Sequence, residues 1–449
     1  MKNRRALFLS VVLLTLALMA VLFATACGEE EPATTTAAPT TAPPTTAAPT
    51  TAPPTTGAPT TAPPTTGGAV EYGEDLVIGA INSITGVNAL TGGEQKWAQE
   101  KAVEDINAKG GIKLADGKMH KVALKFADDK SSDTEAAAAM EKLIKSEGIK
   151  IILSSNTTPY NQAAATVAEQ YQAYFHICTS WTDEGFIGGM GLKWSTDIFE
   201  SAADSGLVAM GAAKQLGEGN IPTKWAVMYE NNPDGIGWGD GQKALITKEG
   251  WEIVSDEKFV EGNKDFSSMI LKYKEAGAEA VDVLISPADG ITFVRQMKEQ
   301  NWSPKYMFGF KGFWPVEFYK GLGADADYIG HDSFWTETYP YPYAKELGQA
   351  FRDTHNGDAS VTIGLPYAAA QILFMAIERA GVFEPGPVRD QVFNGSFPGT
   401  VMGDVKYNEK GIADIPFLSQ QWLNGEHRLV WPEEFAVGPT LPFVPWDQR

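Results

Sequence analysis

The chain has 449 residues, with 36 Lys and Arg against 56 Asp and Glu and a formal net charge of -20 at pH 7. No basic stripe follows Arg5, which argues against nucleic acid as a partner, because phosphate binding depends on clustered Lys and Arg. Two cysteines, Cys27 and Cys178, are too few for a disulfide framework.

The first segment directs the chain out of the cytoplasm. Lys2, Arg4 and Arg5 lead into an apolar run from Ala6 to Phe23, which ends in Ala24-Thr25-Ala26-Cys27. The basic residues stay on the cytoplasmic side, the apolar run enters the bilayer, and small residues give a signal peptidase access to the next bond. Residues 1–26 are expected to be removed, leaving Cys27 as a lipidated first residue. The pattern resembles the bacterial lipoprotein box, with Ala24 where leucine is more usual. The alternative is an uncleaved anchor, since the run approaches the ~20 residues that span a bilayer. Both place the rest extracytoplasmically, tethered to the outer face of the cell membrane. Loss of the three basic residues moves the formal charge to -23.

Residues 27–70 form a Thr/Pro/Ala-rich tract, in which a ten-residue unit repeats from Thr40 to Gly68. Proline fixes φ and removes donors, and Thr and Ala bury too little apolar surface to offset ordering entropy. A disordered, extended tether is expected. At ~3.1 Å per residue it reaches ~110 Å.

After Glu71, β-rich runs alternate with helical stretches. Strands are expected at Leu76 to Ile81, Val122 to Phe126, Lys150 to Leu153 and Tyr174 to Cys178, with helices at Gly92 to Ala108, Thr134 to Ser146 and Tyr160 to Tyr171. The rhythm restarts with strands at Trp225 to Tyr229, Trp251 to Lys258, Ala280 to Ile285 and Lys305 to Phe308. Helices at Gln242 to Glu249, Phe266 to Ala276 and Ile291 to Gln300 separate them. Such alternation implies right-handed βαβ crossovers and parallel sheets, hence an α/β fold. Two units of this kind place the default ligand site in a cleft beyond the strand C-terminal ends.

Catalytic motifs are scarce. No His-Glu-x-x-His, Gly-x-Ser-x-Gly, Walker loop or Cys-x-x-Cys occurs, and His120, His176, His331, His355 and His427 are far apart in sequence. The run Gly235 to Gly241 fails the dinucleotide pattern, because Gln242 stands where the third glycine would fall. Glu230-x-Asn232-x-Asp234-Gly235 mimics the start of a calcium loop, but position twelve is Gly241, so a turn is expected. Neither a cofactor nor a metal is expected, and Cys178 reads as a small core residue.

The segment Ile78-Gly79-Ala80-Ile81-Asn82-Ser83-Ile84-Thr85-Gly86, continued by Glu104-Asp105-Ile106-Asn107-Ala108-Lys109-Gly110-Gly111-Ile112, resembles the opening of the branched-chain amino acid binding proteins, type I periplasmic binding proteins of ABC importers. The resemblance extends more weakly to about Trp422. It implies two Rossmann-like lobes joined by three crossovers. Residues 71–195 and 336–400 are expected in the first lobe, 196–335 and 401–430 in the second, and 431–449 as a tail.

The resemblance also implies a site. The family grips a ligand carboxylate with two first-lobe loops, which correspond here to Ser155-Asn156-Thr157-Thr158 and Cys178-Thr179-Ser180-Trp181-Thr182. Ser155, Thr157, Thr158, Ser180, Trp181 and Thr182 are the candidates, since hydroxyls and N–H groups at a helix N-terminus bind an anion without a counter-charge. Thr158 also reads as a plain N-cap before Pro159. Trp238 holds the place of a second-lobe aromatic contact, or packs on its own lobe. Where the family has an acid for the ligand ammonium, this chain has Lys311. Either Asp289 takes over the ammonium, or the ligand is an organic acid without one. Phe310, Phe313, Trp314, Trp181 and Trp238 raise the prospect of an aromatic ligand. The implied partners are a small molecule and a membrane permease, and the implied state is a monomer. A ligand-sensing ectodomain is the alternative, and a surface hydrolase a third reading.

Overall fold

The computed structural model describes residues 70–449 except 155, 156, 184 and 200. The expected signal segment, the tether and Cys27 therefore lie outside the described residues. Gly68–Arg449 form one compact unit, built on two parallel-rich sheets.

The first lobe begins with β1 (Leu76–Asn82), α1 (Ala89–Ala108), the short β2 (Ile112–Lys113) and β3 (Met119–His120), and β4 (Val122–Asp128). It continues with α2 (Asp133–Lys145), β5 (Ile151–Leu153), α3 (Thr158–Tyr171), β6 (Tyr174–Cys178) and β7 (Ser195–Ile198). The second lobe holds α4 (Ala202–Lys214), β8 (Lys224–Glu230), α5 (Pro233–Lys248), β9 (Glu252–Phe259), α6 (Ser267–Glu275) and β10 (Ala280–Ile285). Next come α7 (Pro287–Glu299), β11 (Tyr306–Lys311), α8 (Val316–Leu322) and β12 (Gly330–Ser333). The chain then returns to the first lobe as α9 (Ala344–Thr354), α10 (Gly364–Ala380), α11 (Pro385–Val392), β13 (Ser396–Thr400), β14 (Gly403–Tyr407) and β15 (Ile412–Asp414). It ends in the second lobe with β16 (Leu418–Leu423) and β17 (Glu426–Trp431).

The first sheet runs β13-β14-β15-β7-β6-β5-β1-β4 and the second β17-β16-β12-β11-β10-β8-β9. Pairing is parallel from β15 through β4 and from β9 through β12, and antiparallel at the β13/β14/β15 and β12/β16/β17 edges. The chain passes between sheets three times, after Ile198, after Ser333 and after Asp414. Two Rossmann-like lobes joined by three crossovers are thus present, as the sequence resemblance implies.

Three boundaries differ from expectation. Residues 403–414 belong to the first sheet, because β13 and β14 form an antiparallel pair that hands on to β15, and β15 pairs with β7 through Ala413 and Ile198. The last crossing therefore lies at 415–417 rather than at 400. Residues 196–198 likewise stay in the first sheet, on β6. The expected tail is part of the second lobe: Phe443 and Trp446 join its core, and the Trp446 indole donates to the Trp302 carbonyl at 2.8 Å.

The glycine-rich run after Asp234 is helical, not a turn. Asn232 caps it, accepting from the Gly235 N–H at 2.9 Å, and Pro233 sits in its first turn. Glycine costs a helix interior roughly 1 kcal/mol relative to alanine. Here the missing side chains make room: a Cβ at Gly239 would lie 2.5 Å from the Tyr229 ring, and one at Gly237 2.1 Å from Phe186 of the first lobe.

Candidate functional site: a closed cleft between the lobes

The site gathers the C-terminal ends of strands from both lobes. From the first come Thr157 and Thr158 before and at the start of α3, and Thr179 and Trp181 after β6. Phe199 follows from the first crossover. From the second come Asp234 in the first turn of α5, Phe310 and Lys311 at the end of β11, and Trp314. The lobes are closed on one another, and the space among these residues is about 10 Å³. That holds at most a water molecule, so an amino-acid-sized ligand enters only when the lobes part.

The first-lobe wall is built of donors. Thr157 occupies the N-cap position of α3, but its side chain makes no capping bond. Its hydroxyl instead donates across the cleft to Asp234 Oδ2 at 3.4 Å, and the Thr158 hydroxyl accepts from the Trp181 N–H at 3.0 Å. The plain cap reading of Thr158 is thereby replaced by a link between the two loops. The Trp181 indole Nε1 is buried with no partner, a donor at the cleft wall.

The second-lobe wall is acidic around one lysine. Lys311 is 6% exposed; its Nζ donates to Glu230 Oε2 at 2.8 Å and lies 3.5 Å from Glu261 Oε1. Burial opposes the ammonium charge, but Glu230, Glu261 and Asp234 outweigh it and hold Lys311 protonated. Burial pushes the Glu230 carboxyl up to about 7, with Lys311 pulling the other way and Glu261 adding to the rise. Burial also raises Asp234, against the pull of Lys311 and the hydroxyls of Thr158 and Thr157. Glu230 Oε1 and Glu261 Oε1 have no hydrogen-bond partner. Three carboxyl groups thus surround one lysine, and of the three Asp234 lines the cleft.

An aromatic seam crosses the cleft. Trp181 and Phe310 meet from opposite lobes at 4.7 Å between ring centroids, Phe310 meets Trp314 at 4.6 Å, and Phe199 and Phe334 at the crossovers extend the group. Two wall residues carry left-handed backbone: Thr179 at φ 70° and Lys311 at φ 65°. For a β-branched threonine this conformation is an outlier, and such strain gathers at ligand-binding positions.

The structure brings Thr157, Thr158, Trp181 and Lys311 together and separates the other candidates. Ser155 lies outside the described residues. Ser180 is buried behind the wall, accepting from the Asn161 amide at 2.6 Å. Thr182 lines a different cavity with Phe199 and Ser201. Trp238 turns into its own lobe, its indole donating to the Ser205 hydroxyl at 3.4 Å, so it is a helix-packing residue rather than a wall of the cleft. Asp289 Oδ2 accepts from the Gly262 N–H at 2.6 Å, its Oδ1 has no hydrogen-bond partner, and the residue does not line the cleft. Phe313 belongs to the second-lobe core. Sequence reasoning missed Asp234; its signal was Asn232-Pro233-Asp234, a cap and first helical turn directly after β8.

The sequence profile of the periplasmic binding protein family matches residues 75–425. The chain belongs to this family. It is 28% identical over 356 residues to Leu/Ile/Val-binding protein homolog 3 of Brucella melitensis, covering 78% of this chain and 92% of the relative. The leucine-binding protein LivK of Thermotoga maritima matches with a TM-score of 0.70 at 19% identity, over 83% of this chain and 100% of the other. LivJ of Streptococcus pneumoniae, solved with isoleucine, matches at 0.68 and 22% identity, over 79% and 97%. A solute-binding protein of Rhodopseudomonas palustris, solved with 3,4-dihydroxybenzoic acid, matches at 0.68 and 17% identity, over 84% and 99%. The last three are likenesses of fold. The family is one of binding proteins, and its periplasmic character implies an extracytoplasmic location.

Proposed function

We propose that this chain is the substrate-binding component of an ABC importer, held to the outer membrane face by a lipid on Cys27, and that it closes on one small zwitterionic amino acid. The observation that carries the reading is the polarity of the cleft. Hydroxyls and an unpartnered indole N–H on the first lobe suit a carboxylate, and the acidic wall around Asp234 on the second suits an ammonium. Lys311 does not repel that ammonium, because Glu230 and Glu261 already neutralise it. Asp234 takes the part first considered for Asp289. The aromatic seam favours an apolar side chain, aliphatic or aromatic. In this reading the protein acts as a monomer, delivers its ligand unchanged to a membrane permease and catalyses nothing.

A thermal-shift panel tests the ligand class, because a ligand at 100 times its Kd stabilises by ~2.7 kcal/mol. Leucine, isoleucine, valine, phenylalanine, benzoate and 3,4-dihydroxybenzoate form the panel. A shift with one or more amino acids and none with the acids supports the proposal; a shift with the acids alone overturns it.

A further inference from the structure

Trp314 stands in the turn after β11, where it lines the cleft beside Phe310. The turn is tight: the Gly312 N–H donates to the Phe310 carbonyl at 2.7 Å, and a Cβ at Gly312 would lie 2.4 Å from the Ile285 carbonyl oxygen. The residue between them is pinned as well, the Phe313 carbonyl accepting from the Trp422 indole at 2.8 Å. Phe310 and Phe334 flank the Trp314 ring, with centroids at 4.6 and 5.3 Å. The one polar atom of this side chain is not offered to the cleft. Trp314 Nε1–H donates to the Asp332 backbone carbonyl at 2.9 Å and to Asp332 Oδ1 at 3.2 Å.

Asp332 is 1% exposed on β12, two residues before Phe334 at the second crossover. Its Oδ2 accepts from the Ser205 hydroxyl of α4 at 2.8 Å, and Ser205 in turn receives the Trp238 indole at 3.4 Å. Burial holds the Asp332 carboxyl well above its usual range, against the pull of Ser205 and Trp314, so it is a neutral acid. A leucine would fill the same place without desolvating a polar group. What the acid adds is an acceptor aimed at an indole of the cleft wall. Trp314, Phe310, Asp332 and Ser205 all belong to the second lobe, so these bonds do not depend on closure and the wall is set before a ligand arrives.

We infer that Asp332 is a positioning residue for ligand selectivity: it holds the Trp314 N–H inside the second lobe, leaves ring carbon facing the cleft, and thereby excludes amino acids whose side chains end in a polar group. This role rests on the cleft being an amino-acid site. A polar side chain against Phe310 and Trp314 loses its water and gains no partner, a penalty of roughly 5- to 150-fold in affinity.

The test is isothermal titration calorimetry of the full chain with leucine against asparagine, valine against threonine and phenylalanine against tyrosine. The members of each pair are close in shape, and the second carries a polar group. The unaltered chain is expected to prefer the apolar member. Asp332→Asn, which keeps an acceptor for the indole and a donor for Ser205, should retain that preference. Asp332→Leu should narrow it by roughly 5- to 150-fold, because the freed indole can turn its N–H to the cleft. Adding Trp314→Phe, which has no N–H to turn, should restore it. A residue that only supports the core would weaken both members of a pair alike. Indole hydrogen exchange in the unaltered chain, with the Trp314 resonance identified by its absence in Trp314→Phe, should be slow with and without leucine. The proposal is overturned if Asp332→Leu keeps the preference, or if adding Trp314→Phe fails to restore it. It is overturned equally, even where Asp332→Leu does not fold, if the Trp314 indole of the unaltered chain exchanges as fast as an exposed one. Absence of binding by all six amino acids overturns the amino-acid reading of the cleft, and the selectivity role with it, while slow indole exchange would still show Trp314 held.

Discussion

Replacing Lys311 by methionine tests whether the acidic wall is held together by one lysine. The side chain keeps its length and the backbone its φ, but Glu230 and Glu261 lose their partner. At an effective dielectric of about 20, contacts of 2.8 and 3.5 Å correspond to roughly 6 and 5 kcal/mol of Coulomb attraction. Desolvation offsets much of this, and breaking a buried pair from one side costs ~3–5 kcal/mol. At ~2.1 cal/mol/K per residue, over ~380 folded residues, that lowers Tm by about 4–6 °C. The loss depends on pH with a defined sign. Glu230 titrates at about 7 when folded, above its ordinary 4.5, so the folded chain holds a proton that the unfolded chain has released. Stability from this group is fully present below ~4.5 and is lost as pH rises through ~7, and removing Lys311 raises the folded value further. Urea unfolding followed by tryptophan fluorescence should therefore show a small deficit at pH 5 and the full deficit at pH 8. Adding Glu230→Gln should restore most of it. A loss under ~1 kcal/mol at pH 8, or an equal loss at both pH values, would refute the reasoning.

Asp234→Asn should weaken amino-acid binding roughly 10- to 150-fold, the equivalent of ~1.5–3 kcal/mol for a hydrogen bond to a charged group, as read by calorimetry. Gly237→Ala places a Cβ about 2.1 Å from Phe186. It should impair closure, measured as a larger radius of gyration by X-ray scattering, while the better helix former leaves the second lobe no less stable. Burial raises Glu94 to about 7, with the Thr362 and Ser360 hydroxyls holding it back, so its stabilising contribution is present below ~4.5 and lost as pH rises through ~7. Glu94→Gln should flatten the stability profile between pH 4.5 and 7 and raise stability at pH 8 by up to ~3 kcal/mol, seen in denaturant midpoints.

Both Rossmann-like halves were legible because their early strands are short β-branched runs closed by turns, as in Leu76–Asn82 and Ala280–Ile285. Two interior strands were not. Ser195–Ile198 and Gly330–Ser333 are rich in polar residues, yet both are buried, flanked on each side by another strand. On each strand a polar side chain reaches a tertiary partner, Thr196 meeting the Tyr174 hydroxyl at 2.8 Å and Asp332 accepting from the Ser205 hydroxyl at 2.8 Å, and no local pattern announces this. Gly364–Ala380 was missed for the opposite reason: it is apolar on nearly every side and shows no amphipathic period. At the site, Thr157, Thr158 and Trp181 came from the family resemblance, which assigns the ligand to two loops after first-lobe strands. Asp234 and the Glu230–Lys311 pair did not, because their meaning depends on β8 and β11 lying in one sheet with β10 between them.

The contacts that close the cleft are the ones a ligand must replace, and this bears on selectivity. In the closed form Thr157 donates to Asp234 across the lobes. A zwitterion inserted there takes the threonine hydroxyl on its carboxylate and returns a stronger, charged donor to Asp234. A carboxylic acid without an ammonium takes the hydroxyl and returns nothing, leaving buried Asp234 one donor short at a cost of about 1–3 kcal/mol. That difference alone separates the two ligand classes by roughly 5- to 150-fold, before any side-chain contact is counted. Selectivity for amino acids over plain acids should therefore collapse in Asp234→Asn, whose amide donates as well as accepts and does not require an ammonium. A variant that lost leucine affinity while its preference over benzoate stayed intact would show that the discriminating group lies elsewhere on the wall.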